Sequence, residues 1–250
     1  MTRYRAGATH LFISAVIVAL VFLSIHFVWY PGALLEATGA LRILLLIAFV
    51  DVCVGPLITT IIFVPGKRGL AFDLTMIALV QAAALTYGVW VLYQARPAYI
   101  VFVKDRFELT RADDIDRAEL AKAKPPYDRI ALTGPSVVGA RLPKDPNEKL
   151  RITMSAMGGG PDIQGFPQYF VAYDDIRGEA LGRAERFAEL RKFNAQDLEG
   201  VERLLANLGG REERVRFLPL RAGERDLTVI LDAQSGDVLR IAALRPWEYK

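Results

Sequence analysis

Three long runs of apolar residues dominate the first 96 positions of the chain. Each run has about the length that crosses the hydrocarbon core of a bilayer as a helix. In order, they cover residues 11–30, 41–64 and 74–93. From Arg96-Pro97 onward, charged residues are interspersed throughout the sequence. The pattern predicts three transmembrane helices in residues 1–96, followed by a domain folded in water in residues 97–250.

Aromatic, basic and turn-forming residues mark the ends of the first run. Trp29 and Tyr30 lie where aromatic side chains anchor helices at the membrane–water interface, and a proline and a glycine follow them. Arg3 and Arg5 precede the run like the basic start of a secretory signal. The run is long for a signal peptide and no convincing cleavage site follows, so we predict an uncleaved anchor.

The second and third runs contain residues that shape or pack helices. Pro56 interrupts the second run and predicts a kink near Cys53, because a proline frees a backbone carbonyl of the preceding turn. Asp73 is predicted to lie at the interface at the start of the third helix, where a negative charge is favourable. Gly88, together with a run of three alanines, offers a smooth face for close helix contact.

Basic residues near the ends of the runs predict the orientation. Four of them lie on one side of the predicted membrane and two on the other. They are Arg3, Arg5, Lys67 and Arg68, against Arg42 and Arg96. Because Lys and Arg accumulate on the cytoplasmic side, the N-terminus is predicted to be cytoplasmic. Three crossings then place residues 97–250 in the periplasm of a Gram-negative host, with the protein in the inner membrane.

The second part of the chain mixes strand and helix patterns, which predicts an α+β domain. Residues 99–103 predict a strand, and Thr110 with Asp113 predicts a capping box for a helix that reaches about residue 122. Asn194 is the predicted N-cap of a late helix. Further helices are predicted at 147–157 and 182–192. Three strands at 215–220, 226–232 and 238–244 predict a C-terminal antiparallel meander, and the remainder of 125–175 shows no clear pattern.

Composition and charge narrow the function classes. The chain is 52% hydrophobic and 24% charged, with a mean hydropathy of +0.24, which is too apolar for an ordinary soluble domain. Its net charge of +3 belongs to residues 1–96, which hold six basic and three acidic side chains, so residues 97–250 hold 25 of each. A neutral soluble domain argues against nucleic-acid binding.

Few residues with catalytic or metal-binding chemistry are present. Cys53 is the only cysteine, which rules out an intramolecular disulfide, and the two histidines, His10 and His26, lie directly before and within the first apolar run. Asp174-Asp175 is interpreted as a solvated acid pair, and the glycine triplet at 158–160 lacks the following Lys and Ser/Thr of a P-loop. We predict no catalytic residue, no metal and no cofactor.

Asp51 is the residue that points most directly to a binding site. A charged group well inside a membrane helix costs about 2.5–3.5 kcal/mol and must face protein or water. With Gly55 and Thr59 it forms a polar and small face that suits another helix. One hypothesis is a site for the transmembrane helix of a partner, with Gln81 and Gly88 as further contacts. The alternative, which is compatible with it, is packing inside the bundle onto Gln81 or toward His26.

The order of several short motifs resembles a known family. They are Val28-Trp29-Tyr30-Pro31, Asp51 with Gly55-Pro56-Leu57, Pro65-Gly66-Lys67, Phe72-Asp73-Leu74, Gln81 with Tyr87-Gly88, Ala95-Arg96-Pro97, Val101-Phe102, Asp105-Arg106-Phe107-Glu108, Phe217-Leu218-Pro219-Leu220 and Pro246-Trp247. The chain resembles the type IV pilin accessory proteins of the TfpX/TfpZ family, which are pilin assembly chaperones. The resemblance implies an inner-membrane protein with a periplasmic domain that promotes pilin stability or pilus assembly, without catalytic residues.

Three functional hypotheses follow. The first is a non-enzymatic chaperone that binds the major pilin of a type IV pilus, through its transmembrane helix and also its globular head, within membrane lipid. The second is a periplasmic ligand sensor, which would need a separate signalling partner because the cytoplasmic side offers only short segments. The third, a membrane-bound enzyme that modifies pilin, lacks a convincing set of acid, base or metal ligands.

Overall fold

The computed structural model describes residues 2–248 and places three long apolar helices before a sheet domain. The first is α1 (Arg3–Val28), a short α2 (Leu34–Ala37) follows, and the third long helix is α5 (Leu70–Gln94). The second long helix, Ala40–Ile62, is built from α3 (Ala40–Ala48), a π-helical segment (Phe49–Val54) and α4 (Gly55–Ile62). All three long helices have the length and composition to cross a membrane. The prediction of three long apolar helices is confirmed.

The π-helical segment takes the place of the kink predicted near Cys53. The Gly55 amide donates to the carbonyl of Val50, five residues earlier, and Pro56 begins the α-helix that follows. Proline lacks an N–H and crowds the preceding turn, and a π-helical widening relieves that crowding. Asp51 lies inside this widened segment.

Small residues let the second long helix pack closely against both neighbours. A Cβ atom at Gly7 of α1 would overlap the Thr60 hydroxyl, and one at Gly88 of α5 would overlap the Ile47 side chain. Close backbone approach of this kind drives helix association where no hydrophobic gain is available. The half of the bundle next to the sheet domain also has a continuous apolar core. Its buried residues are Ile25, Tyr30, Leu35, Ala40, Leu44, Ile47 and Leu92.

Residues after α5 form one mixed sheet. Its strands, within the described residues, are β1 (Pro97–Val103), β2 (Arg106–Arg111), β3 (Ser136–Ala140), β4 (Phe170–Ala172), β5 (Glu185–Arg186), β6 (Val215–Arg221), β7 (Leu227–Asp232) and β8 (Val238–Ala242). The strand order is β4-β3-β1-β2-β6-β7-β8, and β5 pairs with β6. The pairs β1–β3 and β2–β6 are parallel and the others antiparallel. The predicted C-terminal meander is confirmed as β6-β7-β8.

Helices cover both faces of the sheet. They are α6 (Arg117–Leu120), α7 (Pro146–Met157), α8 (Arg177–Arg183), α9 (Ala188–Phe193) and α10 (Leu198–Asn207). Because successive side chains of a strand point to opposite faces, β1 supplies Ile100 and Phe102 to one core and Tyr99 and Val101 to another. Leu34 of α2 belongs to the first of these cores, so the link between the first two long helices is packed into the sheet domain.

Three predicted helical features are wrong. The helix predicted from Thr110 to about residue 122 is reduced to α6, because Thr110 lies in β2, whose pairing with β1 and β6 outweighs the local helix signal. The predicted helix at 182–192 is interrupted by β5, which pairs with β6. Asn194 does not begin α10. Its side chain bonds the Leu190 carbonyl and the Arg245 backbone, whereas Asp197 caps α10 by accepting the Gly200 amide at 3.0 Å. The predicted helix at 147–157 is confirmed as α7.

Candidate functional site

A cleft separates α1 from α5 in the half of the bundle away from the sheet domain. Next to the domain the two helices meet, since the Trp29 and Tyr93 ring centroids are 5.2 Å apart and the Tyr30 hydroxyl donates to the Leu92 carbonyl at 2.8 Å. Farther along they form opposite walls of a cavity of about 400 Å³, with the second long helix as its floor. The walls consist mainly of apolar side chains, including Ile13, Ile17, Leu74, Ala78 and Leu85.

Asp51 and Gln81 form the first polar contact at this cleft. Asp51 is only 5% exposed. The Gln81 amide nitrogen donates to the Asp51 carbonyl at 3.2 Å and to its carboxylate Oδ1 at 3.3 Å. Gln81 Oε1 is buried and has no hydrogen-bond partner in the described part of the chain. A buried acceptor without a donor is costly, and in an apolar surrounding it favours a ligand that supplies one.

His10 and Thr59 form the second polar contact. The His10 Nδ1 atom lies 2.6 Å from the Thr59 hydroxyl, which joins α1 to α4 across the floor of the cleft. His10 is not among the residues that the sequence pattern singles out, although an ionisable residue in a membrane helix is itself a sign of a functional or packing site. The sequence pointed to His26 as a neighbour of Asp51 instead. The His26 ring contacts Phe22 and Phe27, and His10 is the histidine that shares the cleft with Asp51.

The five predicted partner-binding residues do not all reach the cleft. Asp51, Thr59 and Gln81 line it. Gly55 lies between the second long helix and α5, where a Cβ atom would collide with the Gln81 side chain. Gly88 lies against Ile47 in the same helix interface. The two glycines therefore set how closely the floor and one wall approach each other.

Residues at the end of the bundle connect it to the sheet domain. Arg96 is 4% exposed and donates to the Tyr93 carbonyl at 2.8 Å and to the Ala131 carbonyl at 3.0 and 3.3 Å. Its guanidinium also lies 4.1 Å from the centre of the Tyr93 ring. A positive charge is favourable there, because the carbonyls of the last turn of α5 carry partial negative charge. Pro97 directly begins β1.

A second connection lies at α2. The Glu224 and Arg225 amides, in the turn between β6 and β7, both donate to the Ala37 carbonyl, at 3.0 and 3.2 Å. Arg225 pairs with Glu36 at 2.6 Å and Arg42 pairs with Glu224 at 3.2 Å. The sheet domain is thus attached to the bundle on two sides.

At the opposite end of the bundle, Asp73 lies in the first turn of α5 and pairs with Lys67 at 2.6 Å. A negative charge is favourable at the N-terminus of a helix, and the ion pair also links the turn that contains Lys67 to α5.

Across residues 2–248, no group of three His, Cys, Asp or Glu side chains has the spacing to hold a metal ion.

The protein thus belongs to the class in which a bundle of three long apolar helices is joined to a mixed-sheet domain. The bundle contains a cleft with polar side chains on its floor. Sequence similarity to known proteins identifies the family. The "Fimbrial assembly protein, serogroup I" of Dichelobacter nodosus is 33% identical over 236 residues, which cover 91% of this chain and 90% of the relative. The serogroup E1 protein of the same organism is 32% identical over 235 residues, with the same coverage.

The protein named for serogroups C1 and C2 is 36% identical over 121 residues, which cover 48% of this chain and 92% of that relative. The chain therefore belongs to the family of these fimbrial assembly proteins, and the resemblance to the accessory proteins of type IV pilin assembly is confirmed. No protein-family model matches the chain, and no solved structure is significantly similar to it.

Proposed function

We propose that this protein is a non-enzymatic accessory protein of the bacterial inner membrane that binds type IV pilin and promotes its stability or assembly into pili. In this proposal, residues 1–96 span the membrane three times with the N-terminus in the cytoplasm, and residues 97–250 form a periplasmic domain. The names of the relatives support a role in pilus assembly. The three apolar helices support the location.

The cleft between α1 and α5 is the observation on which the pilin-binding proposal rests. Its walls are mainly apolar, so it suits an apolar segment better than a soluble ligand. In lipid, association depends on close packing and on interhelical hydrogen bonds, and the cleft offers both. Its occupant in this proposal is the apolar transmembrane segment of a pilin.

The floor of the cleft specifies the polar chemistry of that segment. Gln81 Oε1 is a buried acceptor without a donor, and the Asp51 carboxylate beside it is also an acceptor. A pilin segment that presents a hydrogen-bond donor or a positive charge at this depth would satisfy both groups. A segment that is apolar throughout would leave Gln81 Oε1 without a donor, and we expect it to bind less tightly.

Filling the cleft tests the proposal. Ala78 lines the cleft, whereas Ala83 is an exposed residue of the same helix that does not. Over-packing a filled site costs about 1–3 kcal/mol, so Ala78→Trp is expected to reduce co-purification of native pilin in mild detergent by about tenfold or more. Ala83→Trp is the matched control and should retain pilin. Equal retention by both variants would show that pilin does not occupy the cleft.

A further inference from the structure

The loop formed by residues 129–135 is fixed against the ends of α1 and α5. Three of its backbone carbonyls accept hydrogen bonds from side chains outside the loop. Tyr99 donates to the Arg129 carbonyl at 3.1 Å, Arg96 donates to the Ala131 carbonyl at 3.0 and 3.3 Å, and Trp29 donates to the Leu132 carbonyl at 3.0 Å. The backbone of the loop is therefore held in one place without regular secondary structure.

The side chain of Leu132 points away from this fixed backbone. It is 68% exposed, although the carbonyl of the same residue is bonded to Trp29. Single exposed leucines are common on protein surfaces. What distinguishes this one is that it lies at the end of two long apolar helices, beside the residue that caps α1.

Aromatic residues mark the level of this end of the bundle. Trp29 and Tyr93 are in contact, and Tyr87 and Trp90 stack at 5.9 Å on the outside of α5, where they are 66% and 54% exposed. Exposed Trp and Tyr near the ends of apolar helices are typical of the boundary between hydrocarbon and lipid headgroups. The hydrogen bond from Trp29 places Leu132 at this boundary.

We infer that the 129–135 loop is a lipid-binding element that inserts Leu132 into the interfacial layer of the bilayer, beside the ends of α1 and α5. This inference rests on the membrane location stated in the proposed function. The neighbouring Arg129, which lies 3.7 Å from the Asp128 carboxylate and has a side chain that is 81% exposed, is placed to contact lipid phosphate groups. The partner is the bilayer itself, because the exposed leucine continues the apolar surface of the helices and an exposed arginine borders it.

Lipid binding by this loop would fix the orientation of the sheet domain. The turn between β6 and β7 already attaches the domain to α2 through the Glu36–Arg225 pair and to the start of α3 through the Arg42–Glu224 pair. The 129–135 loop lies at the ends of α1 and α5 instead. Two separated attachments and the direct connection at Arg96-Pro97 would hold the domain at one angle to the membrane.

Fluorescence quenching with an environment-sensitive label tests this inference. In the full chain with Cys53→Ser, a single cysteine carrying an NBD label is introduced by Leu132→Cys and the protein is placed in phosphatidylcholine vesicles. Two leucines, each 59% exposed, provide matched controls. Leu45→Cys lies on the second long helix and Leu150→Cys lies on α7 of the sheet domain.

We expect the label at position 132 to be quenched by lipids carrying a shallow doxyl group and protected from aqueous iodide. The label at 45 should likewise be quenched by doxyl lipids and protected from iodide, and the label at 150 should be quenched by iodide alone. Quenching at 132 that matches position 150 would overturn the inference and leave the proposed function intact. Iodide quenching at 45 as well would overturn the membrane location and both proposals. If co-expressed pilin abolishes lipid quenching at 132, the loop contacts pilin and the inference is wrong.

Discussion

The Gln81 amide nitrogen lies 3.2 Å from the Asp51 carbonyl oxygen and 3.3 Å from the Asp51 carboxylate, so one side chain of α5 satisfies both a backbone and a side-chain acceptor of the second long helix. The contact falls in the π-helical segment Phe49–Val54. π-helical turns often occur at functional sites. Here the segment places a carboxylate at the floor of the cleft, where it can contact both the bundle and an incoming segment.

Substitutions at Asp51 separate these two roles. Asp51→Asn keeps a side-chain oxygen that can accept from Gln81 but removes the negative charge. Asp51→Leu removes both the side-chain acceptor and the charge. Interhelical hydrogen bonds in membranes contribute about 0.6–1.7 kcal/mol, so we expect only a modest loss of thermal stability in detergent for either variant. Pilin abundance and piliation should fall strongly with Asp51→Leu. Unchanged pilin abundance and piliation in both variants would exclude a role for Asp51 in pilin binding.

Arg96 is expected to hold the 129–135 loop in place. Arg96→Leu leaves the Ala131 carbonyl without its donor, at a cost of about 1–3 kcal/mol for a buried group. Trypsin should then cleave after Arg129 faster than in the parent protein. Arg183→Leu, at an exposed position on α8, is the control and should not change the cleavage rate. Equal cleavage rates in the Arg96 variant and the parent would show that other contacts position the loop.

The Glu36–Arg225 pair is predicted to make a small and salt-sensitive contribution. Both side chains are 58% exposed, and exposed pairs contribute about 0.2–1 kcal/mol. Arg225→Glu should lower the thermal midpoint slightly, and adding Glu36→Arg should restore it at low salt. A double-mutant cycle in detergent measures the coupling. Absence of rescue by the charge swap would mean that the Glu36–Arg225 pair does not help to attach this turn.

The Asp232 carboxylate is expected to account for part of the stability that the sheet domain loses in acid. Hydrogen bonds from the Ser235 and Gln234 amides, both at 2.8 Å, lower the pKa of this carboxyl group. A pKa that is lower in the folded state gives stability that is present above the unfolded pKa and is lost as the pH falls through the folded pKa. Asp232→Asn should therefore reduce stability at pH 7 and flatten its decline below about pH 4. Parallel pH profiles for the variant and the parent would contradict this role.

The sequence predicted the three long helices because their signal is local. Apolar runs of sufficient length need no tertiary information to be recognised. The C-terminal meander was also predictable, since alternating strands and short turns determine their own neighbours. The β2 strand was not, because residues 106–111 become a strand through pairing with β1 and with β6, about 110 positions later.

The cleft could be predicted only in part. Asp51 and Gln81 stand out as polar residues in apolar runs, and the structure brings them together. The contact between His10 and Thr59 joins residues 49 positions apart, and no sequence pattern specifies that register. The separation of α1 from α5 depends on how both pack against the second long helix, which is a property of the three helices together.

Photocrosslinking from the wall of the cleft tests the central claim most directly. A photoreactive benzoylphenylalanine is placed at Ala78 or at Ala83 of the full chain, co-expressed with the native pilin and irradiated in intact cells. The account predicts a crosslink to the apolar segment of pilin from position 78 and little or none from position 83. Crosslinks of equal yield from both positions, or from position 83 alone, would contradict it.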